Sequence, residues 1–398
     1  MILIKIMALE PLIFNFLPGI ASIFQRKMLL LKKLQKIMAV KNMSKNSLTE
    51  LLNIQYPIIQ APMAGGVTSS ELVAAVSNAG GLGMIGAGYL TPSQLEKQIK
   101  EIRTLTNKNF GVNLFVPTPY EMDEKKLQTA KQYLHEILTE LEIRDEPPQL
   151  PTYEADIKTF HEQVDILIEE KIPVFSFTFG LPSKEVETKL KQNSSLLIGT
   201  ATTVQEALLN EKAGMDAVVV QGVEAGGHRG TFHRSANESL IGLMSLIPQT
   251  ADHISIPIIA AGGIMDARGF MAARCLGAQA VQMGTAFLVC KESGANHLHK
   301  DAILEATEDE MALTKSFSGK MARGIHNRFI EKLKMAEESL PDYPLQNELT
   351  KAIRKAAAVK GKADYLSLWA GQSPRLAKKQ TVDELIQKIV SEAEHLRI

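Results

Sequence analysis

The chain has 398 residues, 45% of them hydrophobic, enough for one large α/β domain plus a smaller one and too apolar for a disordered chain. Lys+Arg and Asp+Glu both number 44, so no charge excess points to nucleic acid as a partner. Two cysteines, Cys275 and Cys290, make no disulfide framework; both sit in apolar sequence, and buried, reduced thiols in a cytoplasmic protein are expected.

Residues 1–42 stand apart. Up to Leu48 the only acidic residue is Glu10, against eight Lys and Arg. Glu10, Pro11, Asn15 and Pro18 interrupt the apolar part, which makes a poor membrane span. Most of its positive charge follows the apolar part, whereas a signal peptide carries it before. The readings are an upstream start with the working start at Met43, a targeting segment or an interfacial helix; the first is favoured.

From Met43 strands and helices alternate. Pro57–Met63 reads as a first strand, and TSSE (Thr68–Glu71) as a capping box opening a helix that stops at Gly80-Gly81. Leu82–Gly88 is a second strand, Thr91-Pro92 a helix start, and Phe110–Val116 a third strand. Further strands are expected at Val174–Gly180, Leu196–Thr200, Ala217–Gln221, Pro257–Gly263 and Ala280–Val289, with a second capping box at Thr203–Glu206 and a third at Thr381–Glu384. Apolar strands separated by helices mean a parallel sheet, and eight βα units mean a TIM (β/α)8 barrel with its site at the C-terminal strand ends. A doubly wound open sheet is the alternative. The expected division is a barrel from 43–116, 152–291 and 374–398, and a helical cap from 117–151 and 292–373.

The chemistry gathers at the expected strand ends. Gln221–Gly230, QGVEAGGHRG, leaves a strand with four glycines and a histidine. The seventh strand ends in Gly262-Gly263, and the eighth carries Gln282-Met283-Gly284-Thr285, positions where a barrel's main chain can wrap a phosphate. No CxxC or HExxH occurs, and His297 and His299 at i, i+2 fall on different helix faces, so no metal site is expected.

QAPMAGG (60–66), GVNLFVP (111–117), QGVEAGGHRG, AAGGI (260–264), QMGTAFL (282–288), FSGKMARGIHN (317–327), YPLQN (343–347) and LWAGQ (368–372) together resemble the bacterial class I nitronate monooxygenases, formerly 2-nitropropane dioxygenases, from Leu48 to the C-terminus. The resemblance implies non-covalent FMN at the barrel mouth. It would be contacted by Asn113, Gln221, Gly226, Gly262 and Gly263, by Gln282, Met283, Gly284 and Thr285 at the phosphate end, and by Pro62, Met63 and Ala64 along the ring. His228 would be the catalytic base, acting on a nitronate substrate such as propionate 3-nitronate, with O2 as acceptor. Glu224 would orient the loop, Arg229 would pair with phosphate or be solvated, and Tyr343 and Tyr365 are substrate-pocket candidates. Trp369 is read as core. A detoxifying cytoplasmic enzyme, monomer or homodimer, is implied. The alternatives are the related FMN-dependent enoyl-acyl-carrier-protein reductases, which use a nicotinamide cofactor, and a flavin-binding protein without turnover.

Overall fold

In the computed structural model, which describes residues 46–144 and 148–396, a short helix, Ser47–Leu52, precedes the first strand. The reading of residues 1–42 lies outside the described residues. Eight parallel strands follow: β1 (Ile58–Gln60), β2 (Gly83–Gly86), β3 (Phe110–Phe115), β4 (Val174–Thr178), β5 (Leu196–Ala201) and β6 (Ala217–Gln221), then, after a two-residue β7 (Gly227–His228), β8 (Ile258–Ala261) and β9 (Ala280–Met283). The sheet order is β1-β9-β8-β6-β5-β4-β3-β2, and a parallel bridge from Ile59 to Leu82 joins its two edges. The chain is thus a TIM barrel, closed by backbone hydrogen bonds as the alternating βα pattern requires.

Alternation along β6 shows how the layers fill. Ala217 and Val219 point into the barrel with Ile59, Met84, Ile198 and Ile259, while Val218 and Val220 pack outward against the helices. Leu48 and Leu52 of the leading helix join the inner cluster. That helix is tied to the starts of β9 and β3, through Asn46 Nδ2 to the Gln279 carbonyl and Asn109 Nδ2 to the Leu52 carbonyl. It plugs the N-terminal end and leaves the opposite mouth for a site. The last helix, Val382–His395, begins with the expected Thr381–Glu384 box and docks Val382, Leu385, Ile386 and Ile389 on the barrel's helical layer.

Four local expectations are corrected. Ser69, not Thr68, caps the helix Ser70–Asn78, because the Thr68 hydroxyl is drawn back to the Met63 N–H and carbonyl. Thr203 caps its helix, but the Glu206 carboxylate leaves the box to bind Thr202 and residues 231–233. The run from Ala280 stops being strand at Met283 and turns into a helix, Thr285–Leu288. Cys275 is exposed and only Cys290 is buried, since the helix Ala267–Cys275 buries the face of Ala267, Phe270 and Ala273 and Cys275 falls off it.

The segments between β3 and β4 and after β9 share one apolar core. Leu127, Leu134 and Ile137 of helix Glu124–Glu140 meet Phe317, Phe329, Leu333 and Ile353. This layer is not wholly helical: β10 (Met311–Thr314) and β11 (Ala322–Ile325) form an antiparallel pair, and β11 also pairs with β7, setting Ala322 opposite His228. The histidine loop of the barrel is therefore a strand of the covering layer's sheet.

Candidate active site

A cavity with roughly 1250 Å³ of empty space, part of it open to solvent, occupies the C-terminal mouth of the barrel. Pro62, Met63, Ala64, Asn113, Gln221, Gly226, His228, Gly262, Gly263, Gln282, Gly284 and Thr285 all line it, from β3, β6 and β9 themselves and from the segments following β1, β6, β8 and β9. Met283 does not; its side chain is buried in the outer core. Tyr343 lines an adjoining cavity, with its ring 6.1 Å from that of His228. Tyr365 lines neither cavity: it is buried in the covering layer beside Arg328 and Glu140.

The polar groups are pre-committed in specific ways. Asn113 spends both amide hydrogens on Ser176 Oγ (2.8 Å) and Thr178 Oγ1 (3.1 Å), so its oxygen is left as an acceptor. Gln221 is a staple of the histidine loop. Its Nε2 donates to the His228 carbonyl at 3.1 Å, and its oxygen accepts from the Gly230 N–H and from Arg229. Arg229 is neither solvated nor turned to the cavity; it is 1% exposed and donates to the carbonyls of Gln221, Gly222 and Ser239. Glu224 accepts from the Leu243 N–H and so anchors the loop to the helix after it, an orienting role.

Gly262 and Gly263 have φ of 132° and 65°, backbone that a side chain strains. A Cβ on Gly263 would meet Glu224 Cβ at 3.1 Å, so this glycine is required by the loop's own fold, not only by a ligand. The N–H groups of Gly263 and Gly284 have no acceptor among the described residues. Thr285 Oγ1 accepts from the Gly371 N–H at 2.9 Å and keeps its own proton for donation. Free N–H groups, a free hydroxyl proton and a lone amide acceptor are what a phosphorylated flavin would require of this mouth, so the residues present fit such a cofactor.

His228 Nε2 lies 2.8 Å from Ser318 Oγ, and its ring is edge-on to Trp369 at 5.5 Å and Phe179 at 6.0 Å. Burial, with the charges of Lys320 and Arg354 adding to it, pushes its pKa down to about 3, so the ring is neutral and able to accept a proton. Lys320 is held over the Phe179 ring at 4.6 Å. Phe179 itself has φ of 73°, a left-handed conformation that costs a bulky residue roughly 1–3 kcal/mol and recurs where a site demands it.

Tyr89, Phe115 and Phe179, which no expectation singled out, wall the cavity; Trp369, expected in the core, is only partly buried and walls it too, and His299, considered only as a metal ligand, lines it. The first three lie just beyond or at the ends of β2, β3 and β4, a usable signal. Trp369 had none: it is brought in by the strap 367–372, which bridges to Gly324 of β11 and bonds through Gly371 and Gln372 to Thr285 and Glu224.

A sequence model described as nitronate monooxygenase matches residues 45–392. A probable nitronate monooxygenase of Staphylococcus haemolyticus (strain JCSC1435) is 50% identical over 353 residues, covering 88% of this chain and 98% of that protein. Among solved structures, nitroalkane oxidase from Streptomyces ansochromogenes superposes with a TM-score of 0.81 at 39% identity, over 88% of this chain and 98% of its own. FabK from Thermotoga maritima gives 0.70 at 32%, over 88% and 96%. The barrel carries a half-buried histidine at its mouth, and the chain belongs to the nitronate monooxygenase family, a class of oxidoreductase. It is an enzyme acting on a small molecule with flavin chemistry typical of that family, and among the described residues no helix is long and apolar enough to cross a membrane.

Proposed function

We propose that the protein binds FMN without a covalent link and oxidises alkyl nitronates, propionate 3-nitronate among them, with O2, giving a carbonyl compound and nitrite or nitrate in a detoxifying role. The carrying observation is the neutral His228 on the wall of a cavity that also presents unpaired N–H groups at Gly263 and Gly284. Gly262, Gly263, Gly284, Thr285 and Gln282 would hold the phosphate end. The Asn113 oxygen would accept from the ring system, with Pro62, Met63 and Ala64 beside it. FMN when bound supplies the redox chemistry, taking electrons from the nitronate and passing them to O2.

The protein's own residues handle the proton and the pocket. With a neutral nitroalkane, His228 takes the proton from the carbon next to the nitro group. With a preformed nitronate that proton is already gone and no base is called on. Ser318 fixes the ring through Nε2, and the Gln221 staple fixes the backbone that carries it. Phe179, Trp369 and Tyr343 shield the site from water. The two free thiols support a cytoplasmic setting. Aerobic O2 uptake with propionate 3-nitronate tests the reading. Rapid anaerobic flavin reduction by NADH with consumption of a crotonyl thioester, and no nitronate turnover, would transfer the protein to the enoyl-reductase reading.

A further inference from the structure

His299 sits in the helix His297–Glu305, which follows the last barrel strand Ala280–Met283, and lines the same cavity as His228. It is 8% exposed, and its Nε2 is 2.9 Å from the Trp369 carbonyl oxygen. A carbonyl can only accept, so Nε2 carries the proton of this hydrogen bond. A neutral imidazole has one such proton, which leaves Nδ1 as a bare lone pair. Burial holds the ring neutral, its pKa pushed down to about 4. No donor among the described residues meets Nδ1. Nδ1 is not sealed off inside the protein, so its lone pair is open to whatever fills the cavity.

We propose that His299 is a further ligand-binding residue, its Nδ1 accepting a hydrogen bond from a hydroxyl or N–H group of a molecule held in the barrel-mouth cavity. Trp369 links the two histidines: its carbonyl orients His299, and its ring is 5.5 Å from that of His228. The donor has two sources in the functional reading above, on which this inference rests: the flavin, through a ribityl hydroxyl or ring N–H, or the substrate.

The test compares His299→Gln and His299→Phe with the wild type. Glutamine retains a donor where Nε2 stood and so preserves the bond to Trp369, but removes the ring lone pair; phenylalanine retains volume and removes both. FMN affinity is measured by flavin-fluorescence titration of the apoprotein, which needs no turnover, and KM with ethylnitronate. The expected result for His299→Gln is a roughly three- to tenfold rise in FMN Kd with an unchanged melting temperature, the effect of one neutral hydrogen bond. An equal rise confined to KM assigns the donor to the substrate. Wild-type Kd and KM in both variants would overturn the proposal. So would a lowered melting temperature in both with FMN affinity unchanged, which assigns His299 to packing. Flavin binding by a wild type that ignores nitronates would sink the functional reading while leaving the flavin arm intact.

Discussion

Replacing His228 with Asn separates the proton-transfer role of this residue from its other contacts. The backbone of His228 is held independently of its side chain, by pairing with Ala322 and by the Gln221 amide on its carbonyl, so the loop should keep its place. None of the groups expected to hold the cofactor is removed, and FMN content should match the wild type. A placed general base contributes at least about a hundredfold, or about 2.7 kcal/mol of barrel-mouth transition-state stabilisation. The wild-type imidazole is neutral throughout the physiological range, since burial and the nearby cations drive its pKa down to about 3. No fraction of the base is therefore lost to protonation at pH 7, and the whole factor should disappear in the variant. With preformed ethylnitronate the proton is already gone and no base is called on, so the loss should stay below about tenfold. Stopped-flow flavin reduction, anaerobic, with nitroethane and with ethylnitronate reads both numbers. Equal and small losses for the two substrates would refute the base role.

Lys320→Gln should raise the His228 pKa, because one of the charges disfavouring the imidazolium is removed while Arg354 remains. The neutral form is the competent one, so the acid limb of kcat/KM with nitroethane should move from about pH 3 toward higher pH, and an unmoved limb would contradict this. Gly226→Ala should lower both FMN occupancy and melting temperature, because the added Cβ would lie 2.6 Å from Ala370 C and Gly371 N and push the strap off Thr285; differential scanning fluorimetry with and without FMN checks it. Tyr343→Ala should raise KM for nitronates more than the FMN Kd, since Tyr343 borders the second cavity rather than the barrel mouth; equal effects on both would place it against the cofactor.

The sequence by itself determined the parallel βα architecture, and the Ile59–Leu82 bridge decided for a closed barrel over a doubly wound open sheet. Apolar runs of strand length, separated by helices, have no other way to bury both faces than a parallel sheet wrapped in helices. Strand-end glycines and amides then had to converge on one mouth, which is why Asn113, Gln221, Gly262, Gly263, Gln282 and Thr285 were legible as one cluster. The tertiary structure decided what these groups are free to do. Asn113 and Gln221 are the same kind of side chain at the same kind of position, yet neighbouring hydroxyls take both hydrogens of one, and the histidine loop takes up the other. Met283 shares its motif with cavity residues but alternates into the core, and Tyr365 is claimed by Glu140 and Arg328. Trp369 and His299 reach the cavity only because the strap and helix of the covering layer fold back over the mouth. Local pattern encodes which face of an element is apolar; which polar atoms stay unpaired depends on contacts between segments far apart in the chain, and those exist only once it has folded.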